Sequence, residues 1–176
     1  MSPERLSTPR YCQTCGQPLV ERQVKGELRT RFQCDGCGFI HYMNPRVIAA
    51  VIVEHNGRVL LQQRAMEPGA GLWTFPGGFL EIGETPAEGA MREAKEEVGL
   101  DVVLGPLVGV YARPHVGIVM VVYEGTSTTD AAYVADHESL AVRWCGADAI
   151  PWPDLGFETT EQALRDWLAR RGPSGV

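Results

Sequence analysis

The spacing of apolar positions changes several times along the chain. Two β-rich runs, Val-Ile-Ala-Ala-Val-Ile-Val-Glu (47–54) and Arg-Val-Leu-Leu-Gln-Gln-Arg (58–64), flank His55-Asn56-Gly57. An Asn-Gly pair between such runs predicts a hairpin. Residues 65–78, rich in Gly and Pro, read as loop. From Thr85 the pattern becomes helical. Thr85 and Glu88 make a capping box, Pro86 takes the first helical position, and Gly99 is placed to close the helix in a left-handed conformation. Met91, Ala94 and Val98 are expected to face the core. Further strands are expected at 102–112, 116–124 and 140–145, with an exposed loop at 126–138. Residues 158–171 predict an amphipathic helix with Ala163, Leu164, Trp167 and Leu168 inward and Arg170 and Arg171 at its C-terminal end. Strands, helix, strands, helix favour an α/β sandwich with a mixed sheet between helices.

The first forty residues follow a different logic. Cys12-x-x-Cys15 and Cys34-x-x-Cys37 have the spacing of two knuckles on one tetrahedral zinc, and Gly16 and Gly38 follow each pair where the backbone must turn back. A redox pair would normally open a helix in a βαβ unit, and neither does. Four thiolates leave no open coordination position, so this zinc would fold its segment without catalysing. The expected division is a leader (1–10), a metal-dependent segment (11–40), and a main domain (41–171) that opens on the Pro-marked junction 41–46. His41 is given a structural role there, and Cys145 that of a small buried hydrophobe.

Charge narrows the partners. A formal net charge of −6 argues against broad nucleic-acid binding, although Arg22, Lys25, Arg29 and Arg31 form a modest basic cluster. It does not exclude a phosphorylated substrate, because a bound divalent cation reverses the local field. No apolar run approaches the roughly 20 residues of a membrane span, and Met1–Arg10 lacks the apolar core of a signal peptide. A cytoplasmic location is the expectation.

Three glutamates, Glu93, Glu96 and Glu97, fall within one helical turn and are expected to share the outer surface left by Met91, Ala94 and Val98. Like charges at such spacing oppose each other by only about 0.2–0.5 kcal/mol per pair on an exposed helix, and Arg92 can offset this toward Glu88 and Glu96. A solvated acidic face is therefore possible. However, Gly77-Gly78 allows a backbone to approach a ligand closely, and Glu84 adds a carboxylate just before the helix. Hard oxygen donors gathered this way suit Mg²⁺ or Mn²⁺.

Gly78, five residues, Glu84, seven residues, then Arg92-Glu93-Ala94-Lys95-Glu96-Glu97-Val98-Gly99-Leu100 resembles a complete Nudix box, G-x₅-E-x₇-R-E-U-x-E-E-x-G-U with U aliphatic. All seven fixed letters are present, a coincidence on the order of 10⁻⁸ per window by residue frequencies. Ala94 is small for its aliphatic position. Together with the cysteines, "GLWTFPGGFLEIGET" and "ESLAVRW", the chain resembles the zinc-ribbon subgroup of Nudix hydrolases over roughly residues 11–170. The resemblance implies an α/β/α sandwich, divalent cations, and cleavage of a phosphoanhydride in a nucleoside diphosphate linked to another moiety. It also implies a possible homodimer. Carried over residue by residue, Glu93, Glu96 and Glu97 with the Gly78 carbonyl would ligate the metals, and Arg92 would brace the carboxylates. Glu84 would be an outer ligand or an electrostatic support. Glu97 is the first choice as general base and Glu138 the second. Relatives often carry a further acid where Ala141 stands here.

Trp73 and Phe75, with Tyr111 and Tyr123, are candidates to stack a base, and Arg64 and Arg113 to clamp phosphate. His115 is a candidate ligand contact. The Ser-Gln-Pro-Trp-Pro-Phe-Pro signature of NADH-cleaving relatives is absent after the box. This favours ADP-ribose-like or FAD-like substrates, releasing AMP, with NADH or nucleoside triphosphates as alternatives. A zinc-ribbon module that binds nucleic acid or nucleotides without turnover is the non-enzymatic alternative.

Overall fold

The computed structural model describes residues 8–134 and 137–171. It divides into two compact units between Pro45 and Arg46. The smaller is a three-stranded antiparallel sheet of β1 (Leu19–Gln23), β2 (Thr30–Cys34) and β3 (Ile40–His41). β3 draws residues 40 and 41 into this sheet, so the division falls a few residues beyond the expected one at 40/41.

The larger unit is built on β4 (Arg46–His55), β5 (Arg58–Arg64), β6 (Trp73–Thr74), β7 (Gly77–Phe79), α1 (Pro86–Val98), β8 (Val103–Arg113), β9 (Ile118–Thr126), β10 (Ser139–Cys145) and α2 (Glu158–Arg170). The main strand order is β10-β5-β4-β9-β8. β4 and β9 run parallel and the other pairs antiparallel, which makes the sheet mixed. At the β4–β5 turn Asn56 and Gly57 both have positive φ, 50° and 75°, the conformation that gives two-residue hairpins the twist of their strands.

β4 reads as an unbroken apolar run because both of its faces are covered. Ala49, Val51 and Val53 pack with Ala90, Ala94 and Val98 of α1, while Ala50 and Ile52 pack with Ala163, Leu164 and Trp167 of α2. The expected α/β/α sandwich is what the chain forms. On α1 the inward stripe runs through Ala90, Ala94, Glu97 and Val98, and Met91 is exposed. The expected assignment of Met91 to the core is corrected by the helix's rotation. Small residues at 89, 90 and 94 let α1 lie close on β4, which turns position 91 outward.

The segment 65–78 is not all loop. Past the hairpin end β4 and β5 diverge, and β7 pairs with Ile48–Ala50 while β6 pairs with Gln62–Gln63. These two short strands carry the Gly77-Gly78 backbone onto the sheet directly beneath α1. The 126–138 segment is largely exposed as expected, yet it is tied down. Ser127 N–H donates to the Glu54 carbonyl, Tyr133 N–H to the Val98 carbonyl, and Trp144 Nε1–H to the Asp130 carbonyl. Ala135 and Asp136 lie outside the described residues. Among the described residues, no helix is long and apolar enough to cross a membrane.

Candidate functional site

α1 begins and ends as its sequence dictates. Thr85 accepts the Glu88 amide, the Glu88 carboxylate accepts the Thr85 amide, and Gly99 closes the helix at φ 72°. Glu88 is thereby committed to the cap, and its carboxyl is held below the usual range by the Thr85 donors. Arg92 consequently turns to other acids.

The Arg92 guanidinium organises the cluster. Nε and Nη2 donate to the two oxygens of Glu84 at 3.0 and 2.7 Å, and Nη1 donates to Glu93 at 2.8 Å and to Glu96 at 2.9 Å. Nη2 also reaches the Phe79 carbonyl at 3.2 Å. One cation thus joins three carboxylates and the β7 backbone. The forked bond from Arg92, with the Glu81 amide, holds the Glu84 carboxyl down to about 2. With both oxygens on Arg92, Glu84 is a brace in this arrangement. Glu93 has the opposite bias: burial pushes its carboxyl up, Arg92 opposes this, and the charges of Glu96 and Glu138 add to it. Glu138 is therefore within electrostatic reach of Glu93.

Gly78 leaves room for this carboxylate. A Cβ built there would lie 2.4 Å from Glu93 Oε1. Glu97 points the other way into the protein, only 5% exposed, and its Oε2 accepts from Gly77 N–H at 2.8 Å and Gln62 Nε2 at 2.7 Å. The Glu97 carboxylate, expected on the outer face, is thus buried against β5 and β7.

Among the described residues, the only group of three or more Cys, His, Asp or Glu side chains gathered closely enough to hold one metal ion is Cys12, Cys15, Cys34 and Cys37, whose sulfurs all lie within 4.8 Å of one another. Sulfur separations of 3.6 Å (Cys12–Cys37) and 3.4 Å (Cys15–Cys34) suit a tetrahedron of thiolates at about 2.3 Å from zinc. The knuckle geometry accompanies it. Gly16 and Gly38 have φ of 74° and 75°, and their amides donate back to the Cys12 and Cys34 carbonyls at 2.8 and 3.0 Å. Burial would push the Cys12 thiol up, but donors led by the Thr14 amide outweigh it and bring it down to about 6. The donor set fits zinc. The carboxylates of α1 are spread more widely and are drawn together by Arg92.

The proposed substrate contacts separate into two groups. Phe75 is 2% exposed and belongs to the core beneath α2, and Tyr111 is buried with its hydroxyl donating to Asp166 at 2.8 Å. Neither presents a ring for stacking, which corrects the expectation for both. Tyr123 packs against the core on the α1 side. Trp73 is half-buried, with the Arg143 guanidinium 4.5 Å from its ring centre. Arg64 and Arg113 come together over one ring, Phe157, at 5.3 and 4.7 Å. His115 is exposed in a short turn after β8. This region continues from the acidic one, since Ala65 N–H donates to the Glu138 carbonyl at 2.7 Å. Sequence reasoning missed Gln62, Ser139, Arg143 and Phe157. For Gln62 the signal was present, as an amide two residues beyond Leu60 on a strand face that should be buried.

The NUDIX domain family matches residues 43–168, and the Nudix N-terminal family, a zinc ribbon, matches residues 10–43. The chain belongs to the Nudix hydrolase family, in the form that carries an N-terminal zinc ribbon. The crystal structure of a NUDIX hydrolase from Nitrosomonas europaea superposes with a TM-score of 0.88 at 36% identity, covering 93% of this chain and 92% of that one. An ADP-ribose pyrophosphatase from Methanocaldococcus jannaschii is 42% identical over 73 residues, 42% of this chain and 43% of its own length. A MutT-like protein from Streptomyces ambofaciens is 38% identical over 103 residues, 58% of this chain and 64% of its own length. The chain thus spans less than two thirds of either of these curated relatives.

Proposed function

We propose that the chain is a divalent-metal-dependent pyrophosphohydrolase that cleaves a nucleoside diphosphate linked to another moiety, ADP-ribose or a dinucleotide such as FAD, releasing AMP. The observation that carries this reading is the Arg92 cluster. Five donor contacts from one guanidinium hold Glu84, Glu93 and Glu96 and the Phe79 carbonyl in fixed relation, over a glycine whose missing side chain makes room for Glu93. An acidic face serving only solubility needs no such bracing.

Glu93, Glu96, Glu97 and the Gly78 carbonyl would hold Mg²⁺ or Mn²⁺, hard cations suited to carboxylate and carbonyl oxygen. Such ions would neutralise charge on the diphosphate and lower the pKa of water. The protein supplies the remainder. Arg92 sets the carboxylate positions, Glu84 fixes Arg92, and Glu97 is assigned as the base with Glu138 next in order. Arg64 and Arg113 would receive phosphate oxygens, and Trp73 and Phe157 would flank a flat group. The name of the Methanocaldococcus relative supports ADP-ribose as the first substrate to test. The negative overall charge favours a small nucleotide over nucleic acid.

The test is a panel of ADP-ribose, FAD, NADH, dinucleoside polyphosphates and deoxynucleoside triphosphates with Mg²⁺ or Mn²⁺, products resolved by chromatography. AMP from ADP-ribose or FAD is expected, with turnover at least about 10²-fold lower in Glu97→Gln, the scale of lost acid–base or metal support. Consumption of triphosphates alone would defeat the dinucleotide assignment.

A further inference from the structure

The face of β5 toward α1 carries Gln62, whose bond to Glu97 has so far been given no role in the chemistry. Leu60 packs against α1, and Gln62, next on the same side, is 2% exposed. A buried amide is unfavourable unless both of its ends are bonded. Here both are. Gln62 Nε2 donates to Glu97 Oε2 at 2.7 Å, and Gln62 Oε1 accepts from Ser139 Oγ at 2.7 Å, itself 6% exposed. The amide's orientation follows from chemistry. A carboxylate only accepts, so the NH₂ end must face Glu97 and the oxygen must take the serine hydroxyl.

The two ends of this bridge lie at the two parts of the acidic site. One end fixes an oxygen of Glu97, which also accepts Gly77 N–H from β7. The other end fixes the first residue of β10, directly after Glu138, whose carbonyl accepts Ala65 N–H and whose charge bears on Glu93. The β5–β10 pairing shifts register between Ser139 and Ala141, with Ser139 opposite Arg64 and Ala65 N–H on the Glu138 carbonyl. The side-chain bond from Ser139 to Gln62 adds a third tie at this irregularity.

We infer that Gln62 and Ser139 are positioning residues, a buried Ser139–Gln62–Glu97 relay that sets Glu97 and the Glu138 segment in one register for divalent-cation binding. This rests on the hydrolase reading, yet it can fail separately. Such supporting partners typically affect metal affinity or turnover by about 10–100-fold when removed. Gln62→Met keeps the shape of the side chain and removes both bonds.

The experiment measures, for wild type, Gln62→Met, Ser139→Ala, Ser139→Thr and the Gln62→Met/Ser139→Ala pair, three quantities. These are the Mn²⁺ dissociation constant by electron paramagnetic resonance, kcat and KM on the best substrate of the panel, and the melting temperature. Gln62→Met is expected to weaken Mn²⁺ binding and lower kcat each by about 10-fold or more, with KM little changed. Ser139→Ala should give a smaller loss in the same quantities, and Ser139→Thr, which keeps the hydroxyl, should restore them. The double variant should be no worse than Gln62→Met alone, because both changes break one chain of bonds. Wild-type Mn²⁺ affinity and kcat in Gln62→Met overturn the inference, as does a Ser139→Thr variant no better than Ser139→Ala. Should Gln62→Met fail to fold, the Ser139 pair decides on the same readouts. A wild type that hydrolyses nothing in the panel defeats the hydrolase reading, and the Mn²⁺ constants still decide the relay.

Discussion

Replacing Gly78 by alanine tests how far function rests on the fit between β7 and α1. The new Cβ would stand 2.4 Å from Glu93 Oε1, 2.5 Å from Cδ and 2.6 Å from Oε2. Packed carbons do not approach that closely, so the carboxylate must retreat by more than half an ångström, about 0.6 Å at least. The three nearest atoms all belong to the Glu93 carboxylate, so the group that moves is the end of a flexible side chain. The fold therefore loses the 2.8 Å Arg92–Glu93 bond and little else. A partly exposed charge-assisted bond is worth about 1 kcal/mol, and the alanine recovers about 0.5–1 kcal/mol of unfolded-chain entropy. The melting temperature should shift by no more than about 2–4 °C. Turnover is another matter, since a misplacement near 1 Å at a reacting centre can lower the rate by about 10²-fold. Initial rates with Mg²⁺ beside thermal melts check both numbers. A well-folded Gly78→Ala within threefold of wild-type turnover would refute the reasoning. Gly77→Ala is the contrasting control. Its Cβ meets Ala50 Cβ at 2.4 Å and Ala50 Cα at 2.8 Å, atoms that cannot swing away, so about 1–3 kcal/mol of stability should be lost.

Glu84 supplies a pH prediction. Its folded-state carboxyl sits at about 2 against an ordinary 4.5, so its bond with Arg92 stabilises fully above about pH 4.5 and is lost as pH falls toward 2. Metal-free wild type and Glu84→Gln should differ in melting temperature at pH 6 and converge across that window; a gap constant with pH would count against it. Phe75→Ala should destabilise by about 3–5 kcal/mol in denaturant melts, because the ring is fully buried, while KM of the surviving folded enzyme stays near wild type; a large KM increase at wild-type stability would restore Phe75 as a substrate contact. Elemental analysis should find one zinc per chain, lost in Cys34→Ser; undiminished zinc in that variant would remove the four-thiolate site.

Elements governed by local rules were readable in the sequence. Thr85, Pro86, Glu88 and Gly99 specify both ends of α1 without any tertiary partner, and Asn56-Gly57 specifies its turn. The cysteine knuckles were equally readable, because spacing and the glycines that follow set the geometry. What depends on distant packing was not. Helical spacing alone put Met91 inside and Glu97 outside. The close approach of Gly89, Ala90 and Ala94 to β4 rotated the helix, exposing Met91 and burying the Glu97 carboxylate. Glu97 then needs donors, and these come from β5 and β7, strands 35 and 20 residues away in sequence. Phe75 and Trp73, two residues apart, meet the same hydrophobic cluster, yet Phe75 is enclosed within it while Trp73 stays half-buried at its margin beside Arg143. Arg64 and Arg113 were each visible as candidates, but their convergence on Phe157 requires α2 to be in place.

Calorimetric titration of the zinc-loaded protein with Mn²⁺, alone and with ADP-ribose, against Glu93→Gln/Glu97→Gln addresses the α1 carboxylates most directly. Saturable uptake by the wild type, strengthened by the nucleotide and abolished in the double variant, is the predicted result. A wild type that takes up no Mn²⁺ under either condition, or a double variant that binds as well, would contradict it.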